Sequence, residues 1–388
     1  MILLQAGPFY AQDLFSLNLG GTAQSHYFSV LAYKEVKSKI IVQCSINGRP
    51  HNFILDTGAA TTISQALFKE LRPNVLTSLP VSDQAGIVDS LQIASLPNIQ
   101  LGNVVFKDIP AIVATDPMIF DCFEVDGLLG SNLLRNSIVQ FSSVKHTVTI
   151  TDDAKRLGLN KKYAAKMELS VTQSSPFIMI DIQKGKTTGR DVVLFDSGMD
   201  SFYDLSMAAY QKVFDTVDLF TVMAEATGSF TMGMNGVLGD RDYYKVNAPE
   251  LLINGSTFKN VVTETTYGDS SRIGAYLFKY GTVTLDYKNR KFYFEPYKPG
   301  TPDLSKDDWP FTPTVKDKKL VVGIVWGRQW DGIIVPGDEI IQFDGKNYEG
   351  KDICEVLKTT HESADVVAKV ILRDALTGEI KELEVSKE

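Results

Sequence analysis

Two aspartates are placed to do chemistry. Asp56 closes the apolar run in FILDTGAATTIS, and Asp196 closes the one in VVLFDSGMDSFYDLS. Such a run reads as a buried strand, and its end is an expensive place for a carboxylate. A hydroxyl residue and a glycine follow each one, Thr57-Gly58 and Ser197-Gly198. The glycine lets the backbone turn tightly and approach its neighbour. Amides and hydroxyls exposed at the turn are available to the carboxylate. A single such tripeptide is most often a turn or a helix cap. Two at equivalent positions of a duplication mean more, because a two-fold relation brings them together. Carboxylates about 3 Å apart share one proton. One then acts as base on a water and the other as acid on a carbonyl.

The flanking segments do repeat. IIVQCSINGRPHNFIL precedes Asp56 and FIMIDIQKGKTTGRDVVLF precedes Asp196; both read as hairpins, bending near Asn47-Gly48 and Thr188-Gly189. Downstream, PNIQLGNVVFKD matches PELLINGSTFKN, with Pro97 and Phe106 spaced as Pro249 and Phe258 are. LLG ending at Gly130 matches RIG ending at Gly274, and IVQF matches TVTL. The second copy is longer at FTMGMNGVLGDRDYY, which reads as an extended hairpin loop. Many short strands with turn signals predict a mainly β chain with barrel or sandwich packing. EPYKPGTPDLSKDDWP has linker composition. Beyond it come strands around VPGDEIIQFDG, a helix in KDICEVLKTT and two last strands around Thr377-Gly378, enough for a small domain. The expected division is 1–37 N-terminal segment, 38–152 and 153–299 duplicated units, 300–312 linker, and 313–388 C-terminal domain.

Composition excludes several classes. The 388 residues are 44% hydrophobic and 22% charged, with net charge -8 and no Lys/Arg cluster. That is ordinary globular composition and speaks against nucleic acid as a partner. No apolar run reaches the length of a membrane span. MILLQAGPFYAQ reads either as the tail of a secretory signal or as a frayed terminus. Cys44, Cys122 and Cys354 are far apart, so neither a metal site nor a disulfide framework is expected. The four scattered histidines read as surface or structural residues.

FILDTGAATTIS with DGLLGSNLL resembles the retropepsin-like aspartic peptidases; VVLFDSGMDSFYDLS with RIGAYLFKYGTVTLDY resembles them less closely. The tandem order is similar to pepsin-type enzymes. The resemblance implies two retropepsin-like β-barrel lobes forming a pepsin-like bilobal unit. It implies an aspartic endopeptidase with Asp56 and Asp196 as catalytic pair, flanked by Thr57, Gly58, Ala59, Ser197, Gly198 and Met199. Leu129-Gly130 and Ile273-Gly274 would pack beside these loops in a psi-shaped crossing, with Arg272 a departure. Flap hairpins would lie at Gln84-Ala85-Gly86 and between Gly228 and Gly236, including Gly233. The substrate would be polypeptide, with no cofactor and no metal. Ala59 and Met199 stand where pepsin-type enzymes carry a hydroxyl. Fewer donors raise the dyad pKa values, so an optimum less acid than a stomach pepsin's is expected. A catalytically inactive peptide-binding protein of the same fold is the alternative, with Met199 crowding Asp196. A third reading is a duplication whose Asp-Gly turns only stabilise loops. LVVGIVW, VPGDEIIQFDGKNYEG and the final strands resemble a PDZ domain in the bacterial protease-associated arrangement. That implies capture of a C-terminal peptide by strand addition near Trp309-Pro310-Phe311, or simple docking against the lobes, in a periplasmic or secreted protein.

Overall fold

The structure, a computed structural model, describes residues 15–82, 88–214, 217–229, 232–233, 236–237, 239–358 and 365–387. The chain is mainly β, with its sheets closing into barrels. Arg49–Asp56 is a strand whose inward residues, Phe53 and Leu55, are fully buried. It is fed by an Asn47-Gly48 turn with φ of 51° and 78°, the left-handed pair that two-residue hairpins favour. That hairpin pairs it with Lys39–Ile46.

The same pairing scheme occurs twice. In the first unit Gly127–Gly130 runs parallel to Arg49–Asp56 and antiparallel to Thr62–Ile63. In the second, Arg272–Gly274 runs parallel to Thr187–Asp196 and antiparallel to Tyr203–Ser206. A long hairpin follows each aspartate, Val88–Leu101 with Val104–Val113 and Arg241–Ile253 with Ser256–Thr266. The units meet along a seam where Ile138–Ser142 pairs antiparallel with Gly281–Asp286, Val139 facing Leu285. One apolar core runs under the seam, including Leu55, Phe141, Phe195, Leu285 and Phe292. The strand Phe28–Val36 pairs with Thr147–Thr151 and so belongs to the first unit's sheet.

The second hairpin bends elsewhere than expected. Lys184 pairs with Thr187, so the turn is Gly185-Lys186, with Gly185 at φ 61°. Thr188 and Gly189 lie inside the strand. Gly189 is there for space: a Cβ would meet Leu219 Cδ1 at 2.1 Å.

The C-terminal module is one sheet of Phe311–Lys316, Lys319–Val325, Glu339–Phe343, Val367–Arg373 and Ile380–Ser386, with Lys346–Asn347 on its side and the helix Ile353–Lys358 packed on it. Asp338, in the Gly-Asp turn, is fully buried and held by the Lys381 ammonium at 2.9 Å and the Val335 and Ala375 amides. The expectation of unlinked cysteines is overturned here. Cys122, on the helix Met118–Phe123 of the first unit, forms a disulfide with Cys354 across 232 residues of sequence. Folding alone brings these two helices together, and spacing could not announce it. Lys358 pairs with Glu124 beside the bond. On its other side the module grips the second unit. The Ser229 amide donates to the Gly323 carbonyl at 2.9 Å, and Ile324 and Trp326 pack on Tyr243.

Candidate active site

Asp56 and Asp196 end equivalent strands, and the structure brings their carboxyl groups face to face. Each glycine that follows is bounded by the other aspartate. A Cβ on Gly58 would lie 2.5 Å from Asp196 Cγ, and one on Gly198 would lie 2.3 Å from Asp56 Oδ2. No side chain larger than hydrogen fits either position without separating the pair.

The hydroxyls do not donate to the carboxylates, as the sequence reading had them available to do. They cross over. The Thr57 amide donates to Ser197 Oγ and the Ser197 amide to Thr57 Oγ1, both at 3.0 Å. Thr57 Oγ1 donates to the Phe195 carbonyl at 2.7 Å, and Ser197 Oγ to the Leu55 carbonyl at 2.8 Å. Thr57 and Ser197 are both fully buried. Four dry, satisfied hydrogen bonds therefore bolt one aspartate loop to the other.

The carboxylates are held by amides instead. Asp56 Oδ1 accepts from the Gly58 and Ala59 amides, both at 3.0 Å, while Asp196 Oδ1 accepts from the Gly198 amide at 2.9 Å. The fourth residue of the second loop differs: the Met199 amide goes to the Asp196 backbone carbonyl. The Met199 side chain is buried against Gly274, where a Cβ would meet its Cε at 2.7 Å. It thus packs on the glycine that pairs with Asp196.

Electrostatics divide the pair. Burial pushes the Asp56 carboxyl up to about 7, and the like charge of Asp196 and a hydrogen bond with it add to the effect; Lys39 and the Ala59 amide work against it. The Lys39 ammonium binds the Gly198 carbonyl. It arrives from the turn Lys37-Ser38, whose φ values of 47° and 60° make a tight hairpin tip. On the Asp196 side lies Arg272, buried, with Nη1 3.5 Å from Asp196 Oδ2 and Nη2 2.7 Å from Asp204 Oδ2. Burial works against the guanidinium's charge, but Asp204 and Asp196 outweigh it and hold its pKa above the ordinary arginine value.

Leu129 faces Leu55 and Gly130 faces Asp56 in the parallel pairing; Ile273 and Gly274 face Phe195 and Asp196. Gly130 is tight: a Cβ would meet the Ala60 and Thr61 backbone at 2.2–2.3 Å. Of the flap positions, Gln84, Ala85 and Gly86 lie outside the described residues. Gly228 ends the strand Thr221–Gly228 against Gly323 of the module, and Gly233 pairs with Gly236 in a short hairpin. Sequence reasoning missed Lys39, Asp204 and Tyr287, whose hydroxyl shares a 2.8 Å hydrogen bond with Ser131 under the first loop. No spacing marks them. The only signal was Arg272 itself, a charge in an apolar slot that needs a partner.

A family model described as gag-polyprotein putative aspartyl protease matches residues 42–136. That span holds the first aspartate loop and Leu129-Gly130, and stops before the second unit. At this level the match supports a general protease-type function acting on polypeptide. No curated protein matches the chain.

Proposed function

We propose that the chain is an aspartic endopeptidase built from two tandem lobes, in which Asp56 and Asp196 activate a water for attack on a peptide bond. The observation that carries this reading is the crossed grip of Thr57 and Ser197, which holds two carboxyls face to face. Such a pair shares one proton, which suits one member as base and the other as acid. The C-terminal module would bind polypeptide in the manner of a PDZ domain. The Cys122–Cys354 bond fits an oxidising compartment, periplasmic or secreted. The test is cleavage of an unfolded protein, blocked by a pepstatin-like inhibitor. Asp56→Asn and Asp196→Asn should each lower kcat by about 10²-fold or more.

Arg272 favours a second reading. A guanidinium against Asp196 is also what a site retired from catalysis could tolerate, leaving a peptide-binding cleft. Peptide binding without turnover, unaffected by Asp56→Asn, would support it.

A further inference from the structure

The two units differ at one slot beside the aspartates. In the first, Leu128 faces Ile54; in the second, Arg272 faces Leu194. These are equivalent positions, two residues before the glycine that faces each aspartate. A leucine there is inert. The arginine is buried, is clamped by Asp204 at 2.7 Å, and reaches Asp196 Oδ2 with its other terminal nitrogen. Asp204 is itself fixed by Ser201 Oγ at 2.7 Å and by its place opposite Arg272 in the strand pairing. A two-fold site with a buried guanidinium in one slot and a leucine in the equivalent one is not symmetric.

We propose that Arg272, held by Asp204, is a positioning residue that assigns the two roles of the dyad: it keeps the negative charge on Asp196 and leaves the shared proton on Asp56. This rests on the aspartic-peptidase reading above. In the first step the water gives a proton to Asp196 while its oxygen bonds to the carbonyl carbon. The Asp56 proton passes to the carbonyl oxygen, leaving a neutral gem-diol. In the second step the proton on Asp196 goes to the amide nitrogen. A gem-diol hydroxyl returns its proton to Asp56 and the C–N bond breaks. The dyad ends as it began, so no other reactant is needed.

Several other groups face this pair. Lys39 approaches Asp56 from the hairpin tip, with Lys37 and Asp200 beside it. Tyr287 feels the Asp56 charge from beyond the seam strand. Asp204 and Asp196 face Arg272 most closely, with Asp56 farther off. Lys39 also reaches the Asp196 loop, at the Gly198 carbonyl, but it is kept in every variant, so replacing Arg272 changes the cation that contacts the Asp196 carboxyl itself.

The experiment compares the wild type, Arg272→Lys, and the double variant Arg272→Met/Asp204→Asn, which removes both partners so that neither is left buried and unpaired. Thermal melting confirms folding. The acid limb of kcat/KM against pH, which reports the loss of the dyad's anion, should rise by about one unit or more in the double variant. Arg272→Lys should bring it back towards the wild type. Carboxyl NMR titration of labelled aspartate gives a readout that needs no turnover: the Asp56 transition should move upward in the double variant. A folded double variant whose acid limb and carboxyl titrations coincide with the wild type overturns the proposal. If the wild type proves to cleave nothing, the peptidase reading fails by itself, and the titration still judges Arg272.

Discussion

At the scale of single residues, Asp56 ties the proposed function to stability. Its carboxyl keeps a proton in the folded chain where the unfolded chain, near the ordinary 3.8, has released it. The fold therefore binds more protons than the unfolded chain between about pH 4 and pH 7, and stability falls as pH rises through that window. Asp56→Asn should then be more stable than the wild type at pH 8, by on the order of a few kcal/mol, with the gap closing by pH 4. Urea denaturation at the two pH values checks it. On the proposed peptidase reading the same carboxyl would set the upper limb of activity, which should decline as pH rises through about 7. A rate maximum below about pH 3 would contradict this assignment. The aspartates were legible in the sequence because an apolar strand ending in a carboxylate is costly and was written twice. Arg272 was visible as an oddity, but its meaning was not, since Asp204 lies on a different strand with no pattern to mark it.

At the scale of elements, the paired loops depend on the crossing hydroxyls more than on any single carboxylate bond. Thr57→Val deletes two hydrogen bonds and leaves the Ser197 amide and the Phe195 carbonyl buried without partners. A loss of about 2–6 kcal/mol, at 1–3 kcal/mol for each abandoned group, should appear as a lower melting temperature together with a lower kcat. Ser197→Ala should do the same by symmetry. The hairpin that ends in Lys39 makes a second element-scale prediction. Its ammonium holds the Asp56 carboxyl down, so Lys39→Met should move the upper pH limb higher, the opposite of what loss of a carboxylate neighbour would do. Strands and most turns were readable from period and turn residues. The misplaced bend shows the limit. Gly189 sits mid-strand because Leu219 needs the room, a reason that lies in packing and leaves no local trace.

At the scale of the whole molecule, the C-terminal module is fastened to both units. One link is covalent, between helices on either side of the chain's long middle; the other is the Ser229–Gly323 hydrogen bond and the Tyr243, Ile324 and Trp326 contact. Closing a loop of 232 residues limits the unfolded chain strongly, and Cys122→Ala/Cys354→Ala should cost about 2–4 kcal/mol. A urea midpoint that does not shift would show that the noncovalent contacts alone fasten the module. The duplication was legible from matched segments, whereas this fastening was not, because it joins residues with no shared motif.

The seam has a further consequence for how the chain is made. Ile138–Ser142 pairs on one edge with Thr147–Thr151, but the partner of its other edge is Gly281–Asp286, which leaves the ribosome much later. Until then the newborn first unit carries a bare strand edge, and a second copy of the same unit offers a strand of the same kind. Chains emerging side by side can thus join through the wrong partner. Crowded synthesis, more than heat, is the condition under which this protein should be most prone to misassembly.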